Sequence, residues 1–199
     1  MKVLIERLKQ IEHGFKHIVE AGDELLEDST LNHFGMALAL LDDESYQGRM
    51  LATHMLGQLS ANDMKALDLL LTKVAADPNW RVQEMLAKAL DHYCRMLGYG
   101  RVLGSIQQWI TNDHPNVRRA VTEGLRIWTS RPYFKDHPLE AIQLIARNRA
   151  HESEYLRKSV GNALRDIARK FPDLVKSEVA NWDLADRRVA FTSKLVASR

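Results

Sequence analysis

The sequence is poor in most of the features that would announce a chemistry. It has one cysteine, Cys94, which excludes an internal disulfide. No apolar run approaches the ~18 residues a membrane-spanning helix needs. Val3-Leu4-Ile5 is interrupted at once by Glu6 and Arg7, so no export-signal core forms. A lone thiol without an export signal fits a reducing, cytoplasmic setting. Eight histidines are scattered without metal-ligand spacing, and His92-x-Cys94 has no evident partners. Gly98-x-Gly100-x-x-x-Gly104 misses the dinucleotide-binding spacing, follows no strand, and is accompanied by no phosphate-loop motif. No metal and no cofactor are therefore expected. Nor is there a stretch of sustained apolar–polar alternation that would mark a half-buried strand.

What is present is helical. Leu4, Leu8, Ile11, Phe15 and Ile18 follow the alternating three-and-four spacing of one helix face. Similar segments follow near 31–41, 45–60, 62–76, 79–96, 100–111, 114–130, 138–149, 153–170, 172–181 and 185–197. The breaks carry turn and cap residues: Gly22-Asp23, Asp42-Asp43, Asp77-Pro78, Gly98, Asp113-His114-Pro115, His137-Pro138 and Phe171-Pro172. Pro78, Pro115, Pro138 and Pro172 are placed at helix starts, where a missing N–H has no consequence.

Several of these helices repeat one another. Val82-Gln-Glu-Met-Leu-Ala-Lys-Ala-Leu90, Val117-Arg-Arg-Ala-Val-Thr-Glu-Gly-Leu125 and Leu156-Arg-Lys-Ser-Val-Gly-Asn-Ala-Leu164 share one skeleton, 35 and then 39 residues apart. Weaker copies lie at Tyr46–Leu59 and Asp186–Leu195. A helix pair of about 40 residues buries its apolar face only against the next pair, which is the logic of HEAT-like repeats. The expectation is one all-α domain over 1–199: an α-α superhelix, or solenoid, of HEAT-like helix pairs with a concave face. An irregular helical bundle is the alternative.

Register within the repeat then places charge. Residues 101–199 hold 18 Lys+Arg against 11 Asp+Glu, a net +7, whereas residues 1–100 carry −5. A basic half points to an anionic partner, or to no more than solvated helix surfaces. Glu123 stands at the seventh place of its copy, where Lys88 and Asn162 are its equivalents. Glu84 lies four residues before Lys88 and Asp166 four after Asn162, so Glu84, Glu123 and Asp166 are expected on one stripe across three helices. Around it lie Arg118, Arg119, Arg126, Arg157 and Lys158, the distribution of cations that a nucleic-acid backbone requires. The competing role for these arginines is a ladder between repeats. Trp80, Trp128 and Tyr133 stand at helix ends or in the loop that follows, where they can stack on bases or sugars or serve packing alone. Trp109, Trp182 and Cys94 read as core.

Asp113-His-Pro-Asn-Val-Arg-Arg-Ala-Val-Thr-Glu-Gly-Leu-Arg126 resembles the arginine-pair, Glu-Gly-x-Arg signature of the HEAT-like DNA alkylation repair glycosylases, closest to the AlkC branch. Glu154–Ala168, followed by Phe171-Pro-Asp-Leu-Val175, is similar to the next repeat of that family, and the likeness runs over about 75–185. It implies a DNA-binding concave face and, in active members, an N-glycosylase that removes cationic N3- or N7-alkylated purines from duplex DNA. Family acidic positions fall on Glu123 and Asp166, and less directly on Glu84, with the basic and aromatic residues named above as DNA contacts. Tryptophan follows Glu123-Gly earlier than in that branch, at Trp128, and Arg131-Pro132 comes after it in an altered loop. No extra domain of the kind some members carry is expected after Arg199. Three functions stay open from the sequence: a cofactor-free glycosylase, a non-catalytic binder of duplex, branched or damaged DNA, and a protein-interaction scaffold. A monomer is the expected state.

Overall fold

The computed structural model describes residues 1–198, the side chain of Trp128 excepted. Among the described residues there are twelve α-helices and no strands. They are α1 (Lys2–Lys9), α2 (Lys16–Glu27), α3 (His33–Leu40), α4 (Tyr46–Leu59), α5 (Met64–Leu69) and α6 (Trp80–Leu97), then α7 (Leu103–Trp109), α8 (Pro115–Trp128), α9 (Pro138–Ala146), α10 (Glu154–Ala168), α11 (Pro172–Ala180) and α12 (Arg187–Ala197). A π-helical turn, Leu70–Val74, prolongs α5. The chain divides into two compact units, Met1–Met96 and Leu97–Arg199.

Helix starts are set by short polar side chains that accept otherwise orphaned backbone N–H groups. Asn32 caps α3, Ser45 caps α4, Asp63 caps α5, Ser153 caps α10 and Asp186 caps α12. In α8 the cap is His114, whose Nδ1 accepts from the Asn116 N–H at 3.2 Å. Pro115, Pro138 and Pro172 occupy the first helical positions as expected. Pro78 does not: it precedes α6 by two residues, and the Asn79 side chain accepts the Arg81 N–H instead.

In the first unit α4 is the central helix, packed on α1, α2, α3 and α5, with Met50, Leu51, Met55 and Leu56 essentially sealed. Gly57 lets α4 meet α6: a Cβ there would lie 2.7 Å from that of Ala89 and 2.9 Å from its Cα. In the second unit α10 plays the same part, packed on α8, α9, α11 and α12, with Val160, Ala163 and Leu164 buried. Trp109, Trp182 and Cys94 are buried, as core residues should be, and burial drives the Cys94 thiol far above its ordinary pKa.

Two expected boundaries differ. The apolar face from Leu4 to Ile18 is split between α1 and α2, because Gly14 takes a positive φ of 91° and ends helical continuity. Ile11, in that break, is 43% exposed. Conversely, Gly22-Asp23 lies within α2 instead of ending a helix. The glycine answers to packing here, since a Cβ would come within 2.4 Å of the His54 ring.

Candidate functional site

Arg118-Arg119 opens α8 and Arg157-Lys158 opens α10, and the three arginines turn inward. Arg118 donates through Nε to the Asn112 carbonyl, through Nη2 to the Thr111 carbonyl at 3.1 Å and through Nη1 to Asn148 Oδ1 at 3.1 Å. Asn148, 2% exposed, donates in turn to the Ile110 carbonyl. Arg157 repeats the device, donating Nη1 to the carbonyls of His151 and Glu152 at 2.5 and 2.8 Å. In the first unit Arg49 donates to the Asp43 and Glu44 carbonyls and pairs with Asp77 at 2.6 Å, while Gln83 donates to the Asp77 carbonyl at 2.9 Å. Gln83, Arg118 and Arg157 share the second place of the repeat skeleton, and Arg49 the same place in its weaker copy. Each satisfies loop carbonyls ahead of its own helix that would otherwise be stranded near the core. That common role was legible in the alignment, but the surplus of basic charge drew attention to the solvent side.

Arg119 is 3% exposed, with its guanidinium 4.8 Å from the Tyr155 ring centroid, and Arg157 is 8% exposed beneath Phe191. As placed, both are interior groups. Lys158 is exposed and pairs with Glu154 at 2.8 Å, one turn earlier on α10.

Two turns into these helices the arrangement changes. Arg126 closes the last turn of α8 and reaches two carboxylates on different helices: Nη2 lies 3.2 Å from Glu123 Oε2, and Nη1 lies 3.1 Å from Asp166 Oδ2 on α10. Arg169, largely exposed, approaches the other Asp166 oxygen at 3.8 Å. The side chains of Glu123, Asp166 and Arg126 are 17%, 30% and 35% exposed, so water and a ligand reach all three. Glu123 and Asp166 thus stand on either side of one guanidinium, and the trio carries a net charge of −1. Glu84 is half-buried on α6 in the first unit.

Trp80 is 49% exposed and lies over the Arg81 guanidinium at 4.6 Å, with Tyr46 on the same guanidinium at 4.9 Å. Tyr133 is held firmly. Its hydroxyl donates to Glu140 Oε2 at 2.7 Å, its ring meets Phe134 edge-on, and its backbone adopts φ 70°. The bond to Glu140 keeps the phenol protonated and raises its pKa. A side chain at Gly100 would strike the same ring at 2.8 Å. The Trp128 side chain lies outside the described residues. No cluster of three or more His, Cys, Asp or Glu fit to hold a metal occurs among the described residues, and no helix there is long and apolar enough to cross a membrane.

Comparison with known proteins accounts for this repeat. The family model of the DNA alkylation repair enzyme matches residues 16–192. The crystal structure of AlkD2 from Streptococcus mutans shares 44% identity, covers 99% of this chain and 97% of its own, and superposes with a TM-score of 0.90. The alkylpurine DNA glycosylase AlkC of Pseudomonas fluorescens, solved with DNA containing an abasic site analog, shares 22% identity over 92% of this chain and 60% of its own, with a TM-score of 0.52. At that identity the likeness is one of fold. The uncharacterized protein YhaZ of Bacillus subtilis (strain 168) is 30% identical over 91 residues, 44% of this chain, and the match spans only 26% of that relative's length. The fold class is all-α, of the helix-pair solenoid type. With the family model matching nearly the whole chain, this protein belongs to the DNA alkylation repair enzyme family.

Proposed function

We propose that this protein is an N-glycosylase of alkylation repair, releasing cationic N3- or N7-alkylated purines from duplex DNA without a cofactor. The observation that carries the proposal is the meeting of Glu123 and Asp166, from neighbouring repeat helices, at one accessible point. An alkylated purine already bears the positive charge that makes it a good leaving group. When the bond from sugar to base breaks, its electron pair goes to the base, which departs neutral, and positive charge develops on the sugar. A carboxylate beside that sugar stabilises the charge, and the other orients the water whose oxygen adds to C1′ and takes its proton. In the resting protein Arg126 balances both carboxylates. A DNA phosphate is a competing anion for that guanidinium, and binding it would leave the acids facing the sugar. Exposed Lys158 and Arg169 would add phosphate contacts. Arg118, Arg119 and Arg157 would hold the helices that present the two acids. The protein would act as a monomer in the cytoplasm.

The same guanidinium favours a second reading. A cation fixed between two acids is also the ladder that binds one repeat to the next, and Arg118, Arg119 and Arg157 are engaged inside the protein. On that reading the chain holds damaged or branched DNA and leaves its bases attached. The experiment is release of free methylated purines from methylated duplex DNA, measured by mass spectrometry for wild type, Glu123→Gln and Asp166→Asn after circular dichroism has verified their folding. Release by wild type, cut by ~10²–10³-fold in each variant, is the expected result. Intact bases with salt-dependent DNA binding would establish the second reading. Neither release nor binding would leave a protein-interaction scaffold.

A further inference from the structure

The first unit contains a polar pocket made of none of the residues assigned to the candidate site. It begins with Gly22. A glycine inside a helix is less stable than alanine by about 0.5–1 kcal/mol. A Cβ at this position would lie 2.4 Å from His54 Cδ2 and 3.3 Å from Leu51 Cδ1. The missing side chain lets the His54 ring lie against the α2 backbone, 7% exposed, with Nε2 2.8 Å from Asp23 Oδ1. As a carboxylate, Asp23 accepts the proton on that nitrogen.

His54 lines a pocket of about 220 Å³ with Gln58, one turn further along α4, and with Lys88, Asp91, His92 and Arg95 on α6. The spacing of the α6 residues by three and four puts them on one face. The Arg95 guanidinium donates to His92 Nδ1 at 3.2 Å, which leaves the His92 proton on Nε2. Around this space stand an ammonium, a guanidinium, two imidazoles and a side-chain amide, against one lining carboxylate, Asp91. The space is enough for a tetrahedral oxyanion with part of its hydration. A metal is not indicated, since no three-ligand cluster exists among the described residues.

We propose that this pocket binds a phosphate oxyanion through Lys88, Arg95, His92 and His54. The proposal does not rest on the glycosylase reading. Burial first, and then the neighbouring charges of Arg95 and His54, hold His92 below the ordinary histidine range, with Asp91 and Asp23 opposing. An anion entering the pocket opposes that balance and draws a proton onto the His92 imidazole. Binding is therefore accompanied by proton uptake at His92. Two sources present the same chemistry: free phosphate, or the phosphates of a nucleic-acid strand.

The test follows the ring signals of His54 and His92 by NMR in the full chain, at pH 6 and 7.5, during titration with inorganic phosphate. Separate titrations use a short oligonucleotide with and without a 5′-phosphate. The control is the double variant Lys88→Gln/Arg95→Gln, whose two sites are exposed and leave the core intact. Saturable shifts of both rings at both pH values, at least tenfold weaker in the variant, are expected. Shifts with inorganic phosphate assign the site to free phosphate or phosphomonoesters. Shifts only with the phosphorylated oligonucleotide assign it to strand ends, and equal shifts with both oligonucleotides to the backbone. No shift with any probe, or shifts unchanged in the double variant, would overturn the proposal.

Discussion

The first turn and the third turn of the repeat helices in the second unit use charge in opposite ways. At the first turn, Arg118 and Arg157 bond to loop carbonyls and Arg119 is sealed under Tyr155. A cation near a helix N-terminus faces the unfavourable end of the macrodipole. The clustered carbonyls of the preceding loop offset that, and burial of both becomes tolerable because each satisfies the other. Two turns later Glu123, Arg126 and Asp166 pair with one another, with Arg169 at the edge, and stay partly exposed. Partners of that kind can be exchanged for a ligand's charges, whereas the loop carbonyls have nowhere else to turn. A basic surplus of +7 therefore overstates what the surface offers to DNA.

The comparison breaks most visibly at Arg118. Replacing it by alanine strands the Asn112 and Thr111 carbonyls and one face of buried Asn148. Hydrogen bonds to a charged group are worth about 1.5–3 kcal/mol. At roughly 2–4 °C per kcal/mol for a chain of this size, Arg118→Ala should lower the thermal midpoint by several degrees. Arg118→Lys should recover little of it, because a single ammonium does not reproduce a planar fork serving three acceptors. A midpoint unchanged in Arg118→Ala would mean that the first turn is as exchangeable as the third.

The residues that were easy to read from sequence are those whose role is local. Prolines at 115, 138 and 172 and the repeat skeleton of α6, α8 and α10 announce helix pairs directly. That Glu123 and Asp166 share a stripe was legible because a repeat carries register from one helix to the next. What register does not carry is direction at the end of a long side chain: Arg118 and Arg126 look equally suited to a groove, yet one turns to a loop and the other to two acids. Gly22 misled for a related reason. Its neighbour is His54, 32 residues away, so local sequence reads as a break what tertiary packing requires as a close approach.

Arg126 sharpens the comparison from the other side. Its two ion pairs are partly solvated, and pairs of that kind contribute ~0–1 kcal/mol each. Arg126→Ala should therefore shift the thermal midpoint far less than Arg118→Ala. It should instead weaken DNA binding and flatten the salt dependence by about one counterion. If both variants lose stability equally and DNA binding does not respond to Arg126, the cluster is a ladder and the glycosylase proposal loses its phosphate contact.

The smallest effect is that of pH, and it tests the first turn again. His151 Nδ1 accepts from the Ser153 N–H at 3.0 Å at the start of α10. Burial, and then the charge of Arg118 with a further push from Arg157, holds its pKa below the ordinary value. Protonation would take away that acceptor and add a third positive charge beside two arginines. Because the folded pKa is the lower one, the unfolded chain binds more protons between that value and the ordinary histidine pKa of about 6.5. Stability should be level above pH 7, begin to fall as pH drops through about 6.5, and level off again below the folded pKa. His17 and His92, also lowered chiefly by burial, contribute with the same sign. Thermal midpoints measured from pH 7.5 to 5.5, above most carboxylate titration, should show this decline. In His151→Asn, where an amide oxygen can accept the Ser153 N–H without titrating, the slope should be shallower. An unchanged slope would mean that His151 sits beside Arg118 and Arg157 without being coupled to the charge that they hold at the first turn.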